Sequence, residues 1–308
     1  RYLPLHWDAW ALWAAQTGLI RMMQIQVRAI RAALDAGITT FDAAESYGNG
    51  STEVLLGKAL GADRTKAVIA SKVSNTNFGE GKVIAACEAS LRRLGTDYLD
   101  LYQIHWPKDD ADMDVVMDQL LRLKEQGKIR AIGVSNFGNA DLDTIEKYHC
   151  VDSNQMAYSL LVRGIEYTVL PKCRERGISV LTYSSLAQGL LSGKYYSADE
   201  FPVGRARTRL FAGTRPGARH GGEGFEEGTF QAIAEIRRIA AELGQPMSNV
   251  AIAWLIAQPG VTTVIAGGRT AGQEVENAHA GNLSLSADVG GALSKATQPV
   301  KDFLGDNP

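Results

Sequence analysis

Apolar residues follow two spacings along most of this chain. Short continuous apolar runs alternate with longer stretches in which apolar residues recur every three or four positions. The first pattern marks strands buried on both faces, the second helices with one buried face. Strand-like runs cover Ile38–Asp42, Ala67–Lys72, Leu99–His105, Ile129–Ser135, Val151–Gln155, Ile178–Tyr183 and Thr262–Ile265, with a weaker candidate at Ala9–Ala14. Helical spacing covers Met22–Ala36, Lys82–Leu94, Met113–Gln126, Ala140–Tyr148, Glu166–Arg176, Phe230–Leu243, Met247–Gln258, Ala271–His279 and Ala287–Leu304. Ser51 reads as the N-cap of a further helix, TEVLLGKAL, and Gly37, Gly127 and Gly177 as helix stops. Residues 186–228 break the rhythm. They are rich in Gly and Arg, and an irregular connection of that length reads as a lid or binding loop.

Strand–helix alternation predicts a parallel sheet whose strand C-termini gather on one face. Seven clear units and the weaker first one fit a (β/α)8 TIM barrel, a single domain over residues 1–308. The long loop follows the seventh strand, counting Ala9–Ala14 as the first, and an extra helix ends the chain.

Composition narrows the class. Hydrophobic residues make up 45% and charged residues 21% of the 308 positions, ordinary for a globular protein. A net charge of -2 gives no basic footprint for nucleic acid or an anionic membrane. Cys87, Cys150 and Cys173 form no CxxC pair and read as reduced core thiols; no metal site is expected. No apolar run reaches the length of a membrane span, and RYLPLHWDAW lacks a signal peptide's apolar segment, so a cytoplasmic enzyme is the expectation.

The candidate chemistry sits at strand ends. Asp42, Lys72 and His105 each close an apolar run, and Tyr47 follows Asp42 by one short loop. A free phenol, with a pKa of about 10, is a weak acid at neutral pH. A nearby ammonium lowers that value, an aspartate fixes the ammonium, and an imidazole can orient a carbonyl oxygen. The set suits protonation of a carbonyl as hydride reaches its carbon. Taken singly, Asp42–Lys72 also reads as a structural ion pair and His105 as a satisfied buried histidine. Four such residues at neighbouring strand ends favour the chemical reading.

The segments FDAAESYG, ASK, YLDLYQIHWP, GVSNF, NQMAYS and YSSLAQGLLSGKY occur in this order, with GGRTAGQEVEN near the end. On these segments the chain resembles the aldo-keto reductase family over nearly its whole length. It is most similar to the branch of bacterial reductases and potassium-channel β subunits. The resemblance implies a barrel binding NADP(H) across the strand ends, with Tyr47 as general acid, Lys72 and Asp42 tuning it and His105 orienting the substrate. It implies that Ser135, Asn136 and Gln155 hold the nicotinamide carboxamide and Tyr183 stacks on the ring. Ser184, Leu186, Gln188 and Lys194 match the loop over the pyrophosphate, and Arg205 a lid arginine. Gly267, Arg269, Gln273, Glu276 and Asn277 match the adenosine end. A cation at a helix start suits a 2′-phosphate, so Arg269 argues for NADP(H) over NAD(H).

The chain also departs from the family pattern. Asp8-Ala9-Trp10 stands where the family commonly has Gly-Thr-Trp, which leaves Trp10 and Gln16 as weaker cofactor candidates. Ala266, Ala271 and Gly272 replace residues that are commonly proline, proline and glutamate. Trp13, Phe78 and Trp106, with Tyr47 and His105, are expected to wall the pocket of a small carbonyl substrate. The expected activity is reversible NADPH-dependent reduction of an aldehyde or ketone. The alternative is an NADP(H)-binding regulatory subunit of channel-β type with little turnover. A barrel lyase or isomerase has no use for Arg269 or the carboxamide set.

Overall fold

The computed structural model describes residues 16–306, with side chains from residue 23 onward. The strand candidate Ala9–Ala14 and the residues Trp10 and Trp13 lie outside the described residues, as does the side chain of Gln16. The elements run α1 (Gln16–Asp35), β1 (Thr40–Asp42), α2 (Ser51–Leu60), β2 (Val68–Val73), α3 (Lys82–Leu94), β3 (Leu99–Ile104) and α4 (Met113–Glu125). They continue with β4 (Ile129–Ser135), α5 (Asn139–Ile145), β5 (Val151–Ala157), α6 (Val169–Glu175), β6 (Ser179–Tyr183), α7 (Glu226–Glu242) and α8 (Met247–Ile256). The chain closes with β7 (Val261–Val264), α9 (Ala271–Ala280), α10 (Ala287–Ala296) and α11 (Gln298–Leu304).

Every strand pairs in parallel with the next in sequence, giving one sheet in the order β1 to β7. The sheet is curled. Four strand spacings of about 4.8 Å would put β5 some 19 Å from β1 in a flat sheet, beyond side-chain reach. Yet Gln155 Nε2 on β5 lies 2.8 Å from Asp42 Oδ1 on β1. Ile69, Tyr102, Ile132 and Val180, fully buried on β2, β3, β4 and β6, belong to one core that also takes in Leu60, Leu91, Leu120 and Ile236 from the helices.

Boundaries differ from the sequence expectations where local chemistry shifts them. Helix α1 begins at Gln16 rather than Met22, because the apolar spacing continues back through Leu19 and Ile20. Ser51 is the first helical residue of α2 and not its cap. Gly50 takes the cap position at φ +84° and makes no side-chain capping bond. Glycine suits that left-handed backbone, which L side chains rarely adopt. The expected last helix, Ala287–Leu304, is two helices broken at Thr297. Pro299 enters without an N–H to continue the ladder. The irregular connection expected over residues 186–228 ends at the start of α7, Glu226, and residues 186–225 hold only two short 3-10 turns, Ala187–Ser192 and Val203–Arg205. The segment is still anchored. Phe201 stacks on Phe211, both buried, and Arg215 bridges Asp199 and Glu226.

Candidate active site

The C-terminal end of β1 carries Asp42, and a turn closed by the Tyr47 N–H on the Ala44 carbonyl at 3.1 Å brings Tyr47 to the same place. The end of β2 brings Lys72 to the same point. Its ammonium, with no exposed surface, donates to Asp42 Oδ2, to the Ala43 carbonyl at 3.0 Å and to Tyr47 Oη at 3.4 Å. His105, one residue past β3, sets Nε2 3.5 Å from Tyr47 Oη, with its ring edge-on to the phenol. Ser46 Oγ lies 3.4 Å from the other ring nitrogen. The four residues expected from strand ends therefore form one cluster. The contacts of 3.4–3.5 Å to the phenol are long. Such geometry is common before a substrate oxygen draws the groups together.

Burial pushes the Lys72 ammonium below the ordinary lysine range, and the Asp42 carboxylate beside it opposes that shift. Asp42 has further support that the sequence did not suggest. Gln155 donates to its Oδ1 at 2.8 Å, and the buried amide of Gln103 on β3 approaches the same oxygen at 3.5 Å. Lys72, Gln155 and Gln103 all take sequence positions that face the barrel interior, so the signal was the alternation along each strand. Glu45 was also missed. Its carboxylate accepts from the Ser74 N–H at 2.6 Å and from Asn77 Nδ2 at 2.9 Å, fastening the loop after β2 to the loop that carries Tyr47.

The proposed nicotinamide residues adjoin this cluster. Ser135 Oγ donates to the Gln155 carbonyl at 3.0 Å. Asn136 donates from Nδ2 to the His105 carbonyl and accepts from Tyr183 Oη at 2.8 Å. Burial, with Tyr47 nearby, pushes the Tyr183 phenol up to about 12. Asn136 and Ser184 have φ of +62° and +54°. Left-handed backbone at non-glycine residues costs about 1–3 kcal/mol and clusters at ligand sites. Beyond Tyr183 the chain turns through Ala187 and Gln188, both at positive φ, closed by the Ala187 and Gly189 N–H groups donating to the Ser184 and Leu186 carbonyls. Arg205 reaches this turn, since its Nη1 lies 3.6 Å from where a Cβ on Gly189 would sit. Ser184, Gln188 and Lys194 are exposed and Leu186 is half-buried. The exposed Ser184, Gln188 and Lys194 side chains, with Arg205, offer donors that suit an extended dinucleotide phosphate.

At the far end, Gly267 and Arg269 are exposed on the loop between β7 and α9. The Arg269 N–H donates to Gln273 Oε1 at 2.8 Å, and Thr270 caps α9. Asn277 is buried, whereas Glu276 is exposed and accepts from Ser248 at 3.5 Å. The sequence reading passed over Glu274, which is buried and accepts from the Gly268 N–H at 2.9 Å. Of the expected pocket wall, Trp106 is 50% exposed with its ring centroid 6.5 Å from that of His105. Phe78 instead packs into the hydrophobic core. Two cavities, of about 270 and 210 Å³, lie away from the tetrad. One is lined by residues of α2 and α3, the other by residues of β7, α8 and α9. The described residues hold no cluster of metal-ligating side chains and no helix long and apolar enough to cross a membrane.

A parallel barrel-type sheet with an acid, an amine, a phenol and an imidazole at its strand ends defines an oxidoreductase-like site. The aldo/keto reductase family model matches residues 20–297, and the chain belongs to that family. Aldo-keto reductase YhdN of Bacillus subtilis is 34% identical over 258 residues, covering 80% of this chain and 76% of the relative. Methylglyoxal reductase YeaE of Escherichia coli is 37% identical over 243 residues, covering 78% and 73%. Among solved structures, an aldo/keto reductase from Klebsiella pneumoniae in complex with NADP and acetate superposes with a TM-score of 0.74. It is 30% identical, with 100% of this chain and 91% of that one covered. Glycerol dehydrogenase AKR11B4 from Gluconobacter oxydans gives a TM-score of 0.79 at 29% identity, covering 99% and 93%.

Proposed function

We propose that this chain reduces an aldehyde or ketone to an alcohol, reversibly, with NADPH, and that Tyr47 is the general acid. The observation that carries the reading is the buried Lys72 ammonium placed between Asp42 and the Tyr47 phenol, with His105 on the phenol's other side. The reading takes the sheet as seven strands of a (β/α)8 barrel in one domain, residues 1–308. NADPH, when bound, supplies the hydride. Ser135, Asn136 and Tyr183 would hold its nicotinamide, with Gln155 shared between the carboxamide and Asp42. The turn through Gln188, with Lys194 and Arg205, would hold the pyrophosphate. Arg269, Gln273, Glu276 and Asn277 would hold the adenosine end.

The residues of this chain manage the proton. His105 orients the carbonyl oxygen toward Tyr47 Oη, which donates its proton as negative charge builds on that oxygen. The phenolate left behind faces the Lys72 ammonium, and Asp42 keeps that ammonium in place. The exposed indole of Trp106 supplies an apolar wall beside the reacting carbon, which suits an aromatic or aliphatic carbonyl.

The test mixes the protein with NADPH and a nitrobenzaldehyde and follows loss of reduced-nicotinamide absorbance. Tyr47→Phe should lower turnover by roughly 10²–10⁴-fold while NADPH still binds. Binding without turnover over a broad carbonyl panel would overturn the enzyme in favour of a cofactor-sensing subunit. Failure to bind NADPH at all would overturn both.

A further inference from the structure

Two residues before Tyr47, the half-buried Glu45 joins the turn that carries the phenol to the loop after β2. Its Oε1 accepts from the Ser74 N–H at 2.6 Å and from Asn77 Nδ2 at 2.9 Å, and its own N–H donates to the Lys72 carbonyl at 3.4 Å. Hydrogen bonds to a carboxylate are shorter and stronger than those between neutral groups.

The loop that Glu45 grips is itself braced. Gln119, buried on α4, accepts from the Val83 N–H at 3.1 Å and donates to the Gly79 carbonyl at 3.2 Å. The Asn77 N–H closes the loop's own turn on the Ser74 carbonyl at 2.9 Å. The carboxylate therefore fastens the Tyr47 turn to a support that is tied to the helical layer.

The distances this link has to hold leave little room. Tyr47 Oη stands 3.4 Å from Lys72 Nζ and 3.5 Å from His105 Nε2. Both are already at the long edge of hydrogen-bond range, so a small outward shift of the turn takes the phenol away from both groups. Ser46, between Glu45 and Tyr47, sets its Oγ 3.4 Å from the other nitrogen of His105.

We propose that Glu45 is a positioning residue for the reaction. Its carboxylate holds the turn so that the Tyr47 phenol stays within reach of the Lys72 ammonium, which stabilises the phenolate. Glu45 acts through the backbone and takes no part in the proton transfer itself. The proposal rests on the reading above, in which Tyr47 is the general acid.

The experiment measures single-turnover rates with NADPH and a nitrobenzaldehyde, and NADPH affinity by fluorescence. It compares the wild type, Glu45→Ala and Glu45→Gln, and places Glu45→Ala also in the Tyr47→Phe background. Glu45→Ala should lower the rate about tenfold, within the roughly hundredfold that a misplacement of about 1 Å can cost, while NADPH affinity is unchanged. Glu45→Gln keeps a side-chain oxygen that can accept both bonds and should recover most of the rate. In the Tyr47→Phe background Glu45→Ala should cost nothing further, because no phenol remains to be placed. A role in loop stability alone would not depend on that phenol. An unchanged rate in folded Glu45→Ala, an equal loss in both backgrounds, or a matching loss of NADPH affinity overturns this inference and leaves the general acid standing. Full turnover by Tyr47→Phe overturns the general-acid reading itself. Should Glu45→Ala fail to fold, Asn77→Ala removes one of the two bonds from the other side. It should give the same pattern with a smaller loss of rate, and no loss, or an equal loss without the phenol, overturns the inference.

Discussion

A lysine ammonium with no exposed surface persists at Lys72 because a carboxylate, a carbonyl and a phenol surround it. This was legible in the sequence. A polar residue ending an apolar strand has few places to go except the mouth of the sheet, and Asp42, Lys72 and His105 each end one. Glu274 was not legible. In sequence it is an ordinary acid in the first turn of a helix, and only the packing of α9 on α1 and α8 takes it out of water. Its stability effect follows with a definite sign. The folded-state value of about 7 lies above the unfolded carboxyl value of 4.5. The contribution is therefore fully present below pH 4.5 and is lost as pH rises to 7. That gap corresponds to roughly 3 kcal/mol. Glu274→Gln does not titrate, so its melting temperature should gain on the wild type between pH 4.5 and 7 and hold that gain at pH 8. A difference that stays constant over this range would show that the carboxyl ionises alike in both states.

At the scale of elements, the strands were legible and the connections less so. All seven predicted runs are strands, because a continuous apolar run between glycine-closed helices has one stable place in a parallel sheet. The break at Thr297 was missed because the apolar spacing continues across it. The backbone ladder stops where Pro299 withdraws a donor, and the Leu293 carbonyl accepts from both the Thr297 N–H at 3.3 Å and its hydroxyl at 3.1 Å. A buried cluster then holds α10 and α11 to the barrel. Arg163, just after β5, makes a two-pronged contact with Glu166 and donates to the Ser294 carbonyl and Thr297 Oγ1. Lys301 and Tyr158 complete the carboxylate's shell. Removing one partner from such a buried pair leaves the other charge uncompensated, at about 3–5 kcal/mol. Arg163→Ala should therefore lose stability of that order in urea titrations and expose α10 and α11 to early proteolysis. Loss below 1 kcal/mol, about the value of a surface pair, would mean that the cluster is solvated and unimportant.

At the scale of the whole molecule, curling of the sheet makes the site. Asp42 on β1 is held by amides from β3 and β5, so residues remote in sequence become neighbours at one mouth. The extended line from Tyr183 through Gln188 and Arg205 to Arg269 then crosses the ends of several strands, so a cofactor lying along it would tie these elements together. A ligand that binds only the folded chain stabilises it by about 2.7 kcal/mol at a hundred times its dissociation constant. NADPH should therefore raise the melting temperature of the whole domain in one cooperative step, and NADH at the same concentration should raise it less. The difference isolates the 2′-phosphate, because every other contact is shared. Arg269→Ala should close most of that difference while leaving the smaller NADH shift nearly intact, since the loop backbone already has its own acceptors in Glu274 and Gln273. If the substitution lowers both shifts equally, Arg269 shapes the loop rather than meeting the phosphate, and the preference for NADPH has to come from another cation along the line, with Lys194 and Arg205 the first to substitute.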